Sequence, residues 1–247
     1  MITSTANEKV KFVKKLHDKK TRDAEKLFIA EGVNILSDLK EGFVVREFFA
    51  TEDNAEIANK LSKKHNAVLT FVSESVMKVI ADTVSPSGIL AVIETPAFSP
   101  KGERAVVLDG VQDSGNVGTI IRTAVGAGFF DVYLLDSADA FSPKTVRASM
   151  GAVLRANIVK TTKEELGSYL IGYEKVAMDM GGDDLFSYVP NKKIALIVGN
   201  EAHGLSEFTR KFSDVTLSIP MQGGQESLNV AVAAGIAMYV INHNTKN

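Results

Sequence analysis

Polar side chains gather directly before a long apolar run near the C-terminus of the chain. The segment PMQGGQESLNVAVAAGIAMYV, from Pro220 to Val240, carries amides, a carboxylate and a hydroxyl up to Asn229 and no charge afterwards. Ser227 is the expected N-cap of a helix, and Asn229 would then lie in its first turn. Capping would explain Ser227 but not Asn229, because asparagine inside a helix is a mediocre helix former. The pattern therefore predicts a buried helix whose N-terminus faces a polar site.

Two earlier segments also place polar residues directly after strand-like runs. VVLDGVQDSGNVGTIIRTA contains Asn116 and Arg122, and LIVGNEAHGLSE contains Gly199 and Glu201. Ligands of α/β sheet proteins bind at the carboxyl ends of strands, so these residues are candidates for one common site. Gly199 permits a close backbone approach that a β-carbon would prevent. Arg122 has an alternative role as a surface ion-pair partner, although its apolar neighbours argue against full exposure.

The elements that must position these residues alternate between strands and helices. Runs rich in Val, Ile and Leu, such as RAVVLDG, DVYLLDS, IALIVGN and DVTLSIP, are separated by helical segments. This alternation predicts an α/β domain with a mostly parallel sheet covered on both faces. The runs LFIAEG, VVREFFAT, AVLTFV and GILAVIET predict a smaller α/β domain before it. Because Pro and Gly in the intervening TPAFSPKGE favour a linker, we predict domains at 1–98 and 99–247.

Composition and missing motifs exclude several classes of protein. The chain has 247 residues, 45% of them hydrophobic, with a net charge of −2 and no cysteine. A packed core is expected, whereas disulfides, thiolate metal sites and a cysteine nucleophile are excluded. No GxxxxGK(S/T), GxGxxG, GxSxG or HExxH motif is present, and no metal is predicted. The N-terminus lacks the apolar core of a signal peptide and no apolar run reaches membrane-spanning length, which predicts a soluble, cytoplasmic protein.

A basic segment opens the chain. Its first 26 residues hold eight basic and four acidic side chains, although the whole chain is slightly acidic. Val10, Val13 and Leu16 recur at helical spacing, which predicts an amphipathic helix with a basic outer face. A nucleic-acid partner would have to be held by such a local patch, and the alternative is a solvated helix face.

Taken in order, NVGTIIRTA, IVGNEAHGLS and IPMQGGQESLNVAVAAGIA resemble the three motifs of the SpoU/TrmH family of RNA ribose 2′-O-methyltransferases. The resemblance extends from Arg104 to Asn242. The segment STANEKVKFVKKLHDKKTRDAEKLFIAEGVNIL also resembles the RNA-substrate-binding extension that is common in this family. The resemblance implies a catalytic domain with a trefoil knot, preceded by an RNA-binding domain, and a homodimer formed through the C-terminal domain.

The resemblance further implies S-adenosylmethionine as the cofactor, held mainly by backbone groups of the knotted loops. Its expected lining positions are Gly199, Ile219, Met221 and Leu228, and Gly223 with Gly224 would let the backbone bend around it. The expected catalytic positions are Arg122, Asn116, Glu201, Ser227 and Asn229. Contacts to RNA are expected from Lys11, Lys14, Lys15 and Arg22 in the basic segment and from Arg147.

Several roles stay open at this point. The resemblance implies that Arg122 activates the ribose 2′-hydroxyl. A guanidinium stays protonated, however, so binding a phosphate or stabilising a developing alkoxide fits its chemistry more easily. Ser227 and Asn229 would orient the hydroxyl or Arg122. Glu201 would pair with Arg122 or brace the dimer interface, and Asn116 would shape the site. The resemblance therefore predicts 2′-O-methylation of large-subunit ribosomal RNA, with transfer RNA as an alternative substrate and a non-catalytic RNA-binding or ribosome-assembly factor as an alternative function.

Overall fold

The computed structural model of the protein describes residues 1–40, 42–81, 83–100, 102–190, 193–223 and 227–245. Its contacts divide the chain into two compact units. The N-terminal unit consists of Met1–Ala97 with Phe141–Leu154, and the C-terminal unit consists of Phe98–Ala140 with Arg155–Asn247. In the described residues, no helix is long and apolar enough to cross a membrane.

The N-terminal unit is built on a four-stranded sheet of mixed direction, as far as the chain is described. Strand β4 pairs antiparallel with both β1 and β2, and β3 pairs parallel with β2, which gives the order β1-β4-β2-β3. The elements of residues 1–97 are α1 (Glu8–Lys15), α2 (Lys19–Glu25), β1 (Leu27–Glu31), α3 (Val33–Ser37), β2 (Val45–Ala50), α4 (Ala55–His65), β3 (Val68–Phe71), α5 (Glu74–Ala81) and β4 (Ile89–Glu94).

Helix α1 has the apolar stripe that the sequence predicts. Val10, Val13 and Leu16 are buried in one apolar cluster with Val76 and Ile80 of α5. The lysines of α1 lie on its exposed side. The amphipathic helix with a basic outer face is therefore confirmed.

The C-terminal unit contains a parallel sheet of six strands in the described part of the chain, in the order β10-β8-β9-β5-β6-β7. This confirms the predicted α/β class and the mostly parallel sheet. From residue 104 onwards the elements are β5 (Arg104–Asp109), α6 (Ser114–Ala127), β6 (Asp131–Leu135), α7 (Pro143–Ala148), β7 (Asn157–Thr161), α8 (Lys163–Tyr169), β8 (Tyr173–Asp184), β9 (Lys193–Val198), α9 (Glu207–Phe212), β10 (Val215–Ser218) and α10 (Val230–Asn244).

Strand β8 bulges where it pairs with β10. Thr216 pairs with Ala177, but the next residue of β10, Leu217, pairs with Asp183. Residues 178–182 therefore leave the ladder between these two pairs, and we call them the β8 bulge. A bulge bends its strand and redirects side chains, which is why bulges often occur beside binding sites.

One segment from the middle of the C-terminal half packs into the N-terminal unit. Helix α7 contacts β1, and the rings of Phe141 and Phe28 lie with their centroids 4.9 Å apart. Gly151 sits against Ile35, because a β-carbon added to it would be 3.2 Å from Ile35 Cγ2. The sequence predicts a division at residue 98 and gives no sign of this exchange, since α7 lies between two strands of the C-terminal sheet.

Candidate active site

The N-termini of α6 and α10 lie together, and the two helices run side by side in the same direction. Asn116 in the first turn of α6 bonds to Asn229 directly before α10. Further along, a β-carbon added to Gly235 of α10 would be 3.3 Å from Thr123 Cγ2 of α6. Both helices follow strands of the parallel sheet, so their N-termini lie at its carboxyl edge, where a site is expected.

Asn229, rather than Ser227, caps α10. Its Oδ1 accepts the backbone N–H groups of Ala231 at 2.9 Å and Val232 at 3.3 Å, and the helix begins at Val230. The predicted cap at Ser227 is wrong by two residues. Asparagine and serine are equally good N-cap residues because both have a side-chain oxygen that accepts the following N–H groups, so residue type alone does not choose between them. Capping therefore explains the presence of Asn229.

The orientation of this cap sets up a directional chain of hydrogen bonds. Because Oδ1 of Asn229 accepts the helix N–H groups, its Nδ2 is the atom that donates to Asn116 Oδ1, at 3.0 Å. Asn116 Nδ2 in turn donates to Glu201 Oε1 at 2.9 Å. We call these three side chains the amide chain. It joins one residue from each of the three sequence motifs.

Arg122 is exposed on α6 and is not paired with Glu201. Within the described residues its guanidinium has no hydrogen-bond or ion-pair partner. Its apolar neighbours argue against full exposure but do not bury it. Successive helix residues point about 100° apart, so Ile120, Ile121 and Ala124 face the core while Arg122 faces away from it.

The loop after β9 makes a tight return beside the amide chain. Asn200 and Gly204 exchange backbone hydrogen bonds of 2.8 and 2.9 Å. The side chain of Asn200 pins the turn, because its Oδ1 accepts the N–H groups of Ala202 at 2.8 Å and His203 at 3.0 Å. Gly199 lies under this return, and a β-carbon there would be 2.4 Å from the carbonyl carbon of Gly204. Only glycine fits this position without moving backbone.

A cavity of about 380 Å³ lies beside this loop, within the size range of small-molecule sites. All four predicted cofactor positions, Gly199, Ile219, Met221 and Leu228, line it, together with Glu201 and Ser227. The structure therefore brings the predicted cofactor positions into one cavity and places part of the predicted catalytic set at its wall. The remaining lining residues are Met178, Asp179, Met180, Val198, Asn200, Ala202, His203, Gly204, Arg210, Ser218, Val230 and Ala233.

The glycine pair expected to bend the backbone around the cofactor is only partly described. Gly223 has a φ of +72°, in the left-handed region that favours glycine. Gly224 lies outside the described residues.

The chemistry of the lining suits S-adenosylmethionine. Val198, Ile219 and Leu228 provide apolar surface for an adenine ring. The carboxylates of Asp179 and Glu201 outnumber the guanidinium of Arg210. This excess of negative charge favours a positively charged sulfonium compound over an anionic nucleotide.

Two charged residues of the cavity wall, Asp179 and Arg210, are missing from the sequence-based prediction. Asp179 enters the cavity on the β8 bulge, and Arg210 reaches it from α9, where the two form an ion pair. The glycines in MDMGG after a strand-like run are the one sequence signal that indicates a bulge here. No sequence signal indicates Arg210.

The predicted RNA contacts in α1 lie at the surface. Lys14 and Lys15 are exposed near the end of the helix. Lys11 is also exposed and donates to Glu8 Oε1 at 2.7 Å. This hydrogen bond and the charge of Lys11 hold the pKa of the Glu8 carboxyl below its ordinary value. The three lysines leave a basic face open to a polyanion.

Arg22, in contrast to these lysines, is buried. Its side chain is 5% exposed, and Nη1 donates to the carbonyl oxygens of Leu16 and His17, each at 2.7 Å. The guanidinium thus satisfies carbonyl groups after the end of α1, which argues against the predicted contact of Arg22 with RNA. Arg147 is half-buried on α7.

Comparison with known proteins assigns the family. Residues 103–239 match the model of the SpoU rRNA Methylase family, and residues 7–91 match that of the MRM3-like substrate binding domain. The chain belongs to the SpoU rRNA Methylase family, which confirms the resemblance found in the three motifs.

Similar proteins cover nearly the whole chain. RlmP of Bacillus subtilis, a 23S rRNA (guanosine(2553)-2′-O)-methyltransferase, is 36% identical over 96% of this chain and 97% of its own length. The AdoMet-bound rRNA methyltransferase from Sinorhizobium meliloti has a TM-score of 0.87 and 31% identity, covering 97% of this chain and 95% of its own. AviRb from Streptomyces viridochromogenes, in complex with the cofactor AdoMet, has a TM-score of 0.88 and 27% identity, covering 96% and 97%.

Proposed function

We propose that this protein transfers the methyl group of S-adenosylmethionine (AdoMet) to a ribose 2′-hydroxyl of large-subunit ribosomal RNA. The observation that carries the proposal is the amide chain, which joins all three motifs and reaches the wall of a cavity suited to this cofactor at Glu201. Membership of the SpoU family supports the reaction. The 23S rRNA substrate named for RlmP, over nearly the full length of both chains, supports ribosomal RNA ahead of transfer RNA.

The cavity residues hold and orient the cofactor. When bound, S-adenosylmethionine supplies an electrophilic methyl group on a sulfonium. Gly199 keeps the loop backbone close to the cavity, and Ile219 and Leu228 enclose its apolar part. The carboxylate of Glu201 favours a cation at the wall that also belongs to the amide chain.

Arg122 provides a fixed positive charge for the RNA. Its guanidinium is exposed and has no ion-pair partner in the described part of the chain, so it is available to bind a phosphate next to the target ribose. The same charge stabilises the negative charge that develops on the 2′-oxygen as its proton passes to solvent water. A guanidinium remains protonated, so we assign Arg122 this electrostatic role rather than that of a general base.

The amide chain positions the reacting groups. Asn229 is fixed by the helix N–H groups, Asn116 is fixed by Asn229, and Glu201 is fixed by Asn116. Ser227 lines the cavity and offers a hydroxyl that can orient the ribose oxygen. Holding donor and acceptor in line converts a bimolecular encounter into an effectively unimolecular step.

The basic face of α1 would bind RNA phosphates through Lys11, Lys14 and Lys15, with Arg147 as a further contact. Such contacts release counterions, so the affinity for RNA should fall steeply as salt rises. The protein would act on this ribosomal RNA in the cytoplasm.

We also infer a homodimer formed through α10, and we keep the trefoil knot as part of the proposal. Val232 and Tyr239 of α10 remain 51% and 54% exposed, and a partner subunit packed on this helix would cover them.

The proposal is tested by mapping ribose methylation across all RNA in cells with and without the gene. One 2′-O-methyl group in large-subunit ribosomal RNA should disappear and return with the wild-type gene. The Arg122→Ala variant should not restore it, although the purified variant should bind S-adenosylmethionine normally in calorimetry. Loss of a methyl group from transfer RNA alone would replace the substrate, and an unchanged methylation map would support a non-catalytic assembly factor.

A further inference from the structure

The wall of the cofactor cavity contains an ion pair that the mechanism above does not use. Arg210 donates through Nη1 to Asp179 Oδ2 and through Nε to the carbonyl oxygen of Leu205, at 3.2 Å for the latter. Asp179 belongs to the β8 bulge, Arg210 to α9 and Leu205 to the end of the loop after β9. Three elements around the cavity therefore meet at one guanidinium.

We propose that the Asp179 carboxylate binds the ribose hydroxyls of the cofactor's adenosine moiety and that Arg210 is the positioning residue that holds this carboxylate. The assignment rests on the proposed function, because it takes S-adenosylmethionine as the ligand of the cavity. It adds a specificity determinant that lies outside the three motifs.

Asp179 has unused acceptor capacity. A carboxylate offers about four lone-pair sites. One oxygen of Asp179 accepts the N–H of Met180 at 2.9 Å, and the other accepts from Arg210. About two sites remain, which matches the two O–H donors of a ribose diol. The side chain of Asp179 is 17% exposed, so few water molecules can take the place of a ligand.

The neighbouring charge selects a neutral donor over a cationic one. The α-ammonium group of the cofactor would also suit a carboxylate, but the Arg210 guanidinium already binds this one. A second cation at the same carboxylate would be repelled by Arg210, whereas a neutral diol would not. Glu201, the other carboxylate of the wall, is less suited because it is exposed and Asn116 already donates to it.

Arg210 acts through Asp179 rather than on the cofactor. Its side chain is 50% exposed, and its Nη1 and Nε donors are both engaged by protein oxygens. Losing it would free the Asp179 side chain and detach the β8 bulge from the loop that carries Gly199 and Glu201. We therefore expect Arg210 variants to lower affinity for every ligand that has an intact ribose.

The test is calorimetry of the purified full-length protein with S-adenosylhomocysteine and with its 2′-deoxy and 3′-deoxy ribose analogues. In the wild type, removal of a hydroxyl bound by Asp179 should raise Kd about tenfold to a hundredfold. In Asp179→Asn the parent compound should bind more weakly by a similar factor. The deoxy penalty, which is the ratio of the Kd of the deoxy analogue to that of the parent, should fall towards one. Arg210→Lys should give a smaller loss of the same kind.

Glu207→Gln is the matched control, because it makes the same carboxylate-to-amide change on α9 at a residue that does not line the cavity. It should retain wild-type affinities and the full deoxy penalty. Thermal unfolding of each variant confirms that it is folded before it is titrated, and Asp179→Glu provides a second variant that keeps the charge.

The outcomes separate the two proposals. An undiminished deoxy penalty in Asp179→Asn, which means an equal loss of affinity for the parent and deoxy compounds, would overturn the ribose assignment and leave the methyltransferase proposal intact. A wild type that binds neither S-adenosylmethionine nor S-adenosylhomocysteine would overturn both.

Discussion

Two substitutions of Asn229 should separate its capping role from its role in the amide chain. Asn229→Ala removes the oxygen that accepts the N–H groups of Ala231 and Val232 and also removes the donor to Asn116. Asn229→Asp keeps an oxygen for the helix and adds a negative charge that suits a helix N-terminus, but it has no N–H to donate. Asn229→Ala therefore removes both the helix cap and the hydrogen bond to Asn116, whereas Asn229→Asp removes only the hydrogen bond.

The expected magnitudes follow from these contacts. Loss of an N-cap costs about 1 kcal/mol. For a protein of this size that cost lowers Tm by about 2–4 °C. Asn229→Ala should show this decrease, whereas Asn229→Asp should melt close to the wild type. In the second variant, Asn116 can turn its amide to donate to the new carboxylate, but its oxygen then faces Glu201. One hydrogen bond of the chain is lost in either orientation.

Methyl transfer should therefore fall in both variants. A displacement of about 1 Å at the reacting groups costs about a hundredfold in rate. We expect a decrease of that order in kcat/KM for both variants, measured as transfer of labelled methyl groups to RNA. Thr162→Ala, which removes the capping box of α8 away from the cavity, should lower Tm by a similar amount with unchanged activity. Full activity in Asn229→Asp would refute the role of the amide chain, and a Tm as low as that of Asn229→Ala would refute the cap.

Three further substitutions test other parts of the structure. Gly199→Ala should abolish S-adenosylmethionine binding in calorimetry, since its β-carbon would lie 2.4 Å from Gly204 backbone, whereas Gly167→Ala, in open space on α8, should bind normally. Normal binding by the first variant would contradict the close approach. Tyr133→Phe should leave the free energy of unfolding in urea unchanged or raise it by up to about 3 kcal/mol, because in the described residues the buried hydroxyl has no hydrogen-bond partner. A loss of stability would show that this hydroxyl is satisfied. Val232→Glu should convert dimers to monomers in light scattering, and an unchanged mass would place any dimer interface elsewhere.

Local patterns predict most of the sheet and helices of the C-terminal unit. Strands such as β5 and β9 are almost entirely buried, so they read as continuous apolar runs. Helices between them are marked by caps, for example Asp113 before α6 and Gly128 after it. The three motifs likewise predict which loops form the site, because each follows a strand of a parallel sheet.

The features that sequence reasoning misses depend on contacts between distant segments. Two oxygen-bearing residues stand before α10, and the contact of Asn229 with Asn116, 113 residues earlier, is not visible locally. The β8 bulge arises from pairing with β10, so the inward position of Asp179 follows from a register that periodicity does not specify. Arg22 reads as part of a basic face, but the carbonyl groups after α1 engage it.

The placement of Phe141–Leu154 within the N-terminal unit has a consequence for synthesis of the chain. When residues 1–97 have left the ribosome, the surface of β1 around Phe28 still lacks the helix that later covers it. That surface stays open to water while β5, α6 and β6 are being made, so the first unit cannot finish folding before part of the second has emerged. A gene fragment ending at residue 97 should for this reason expose an apolar patch and tend to aggregate.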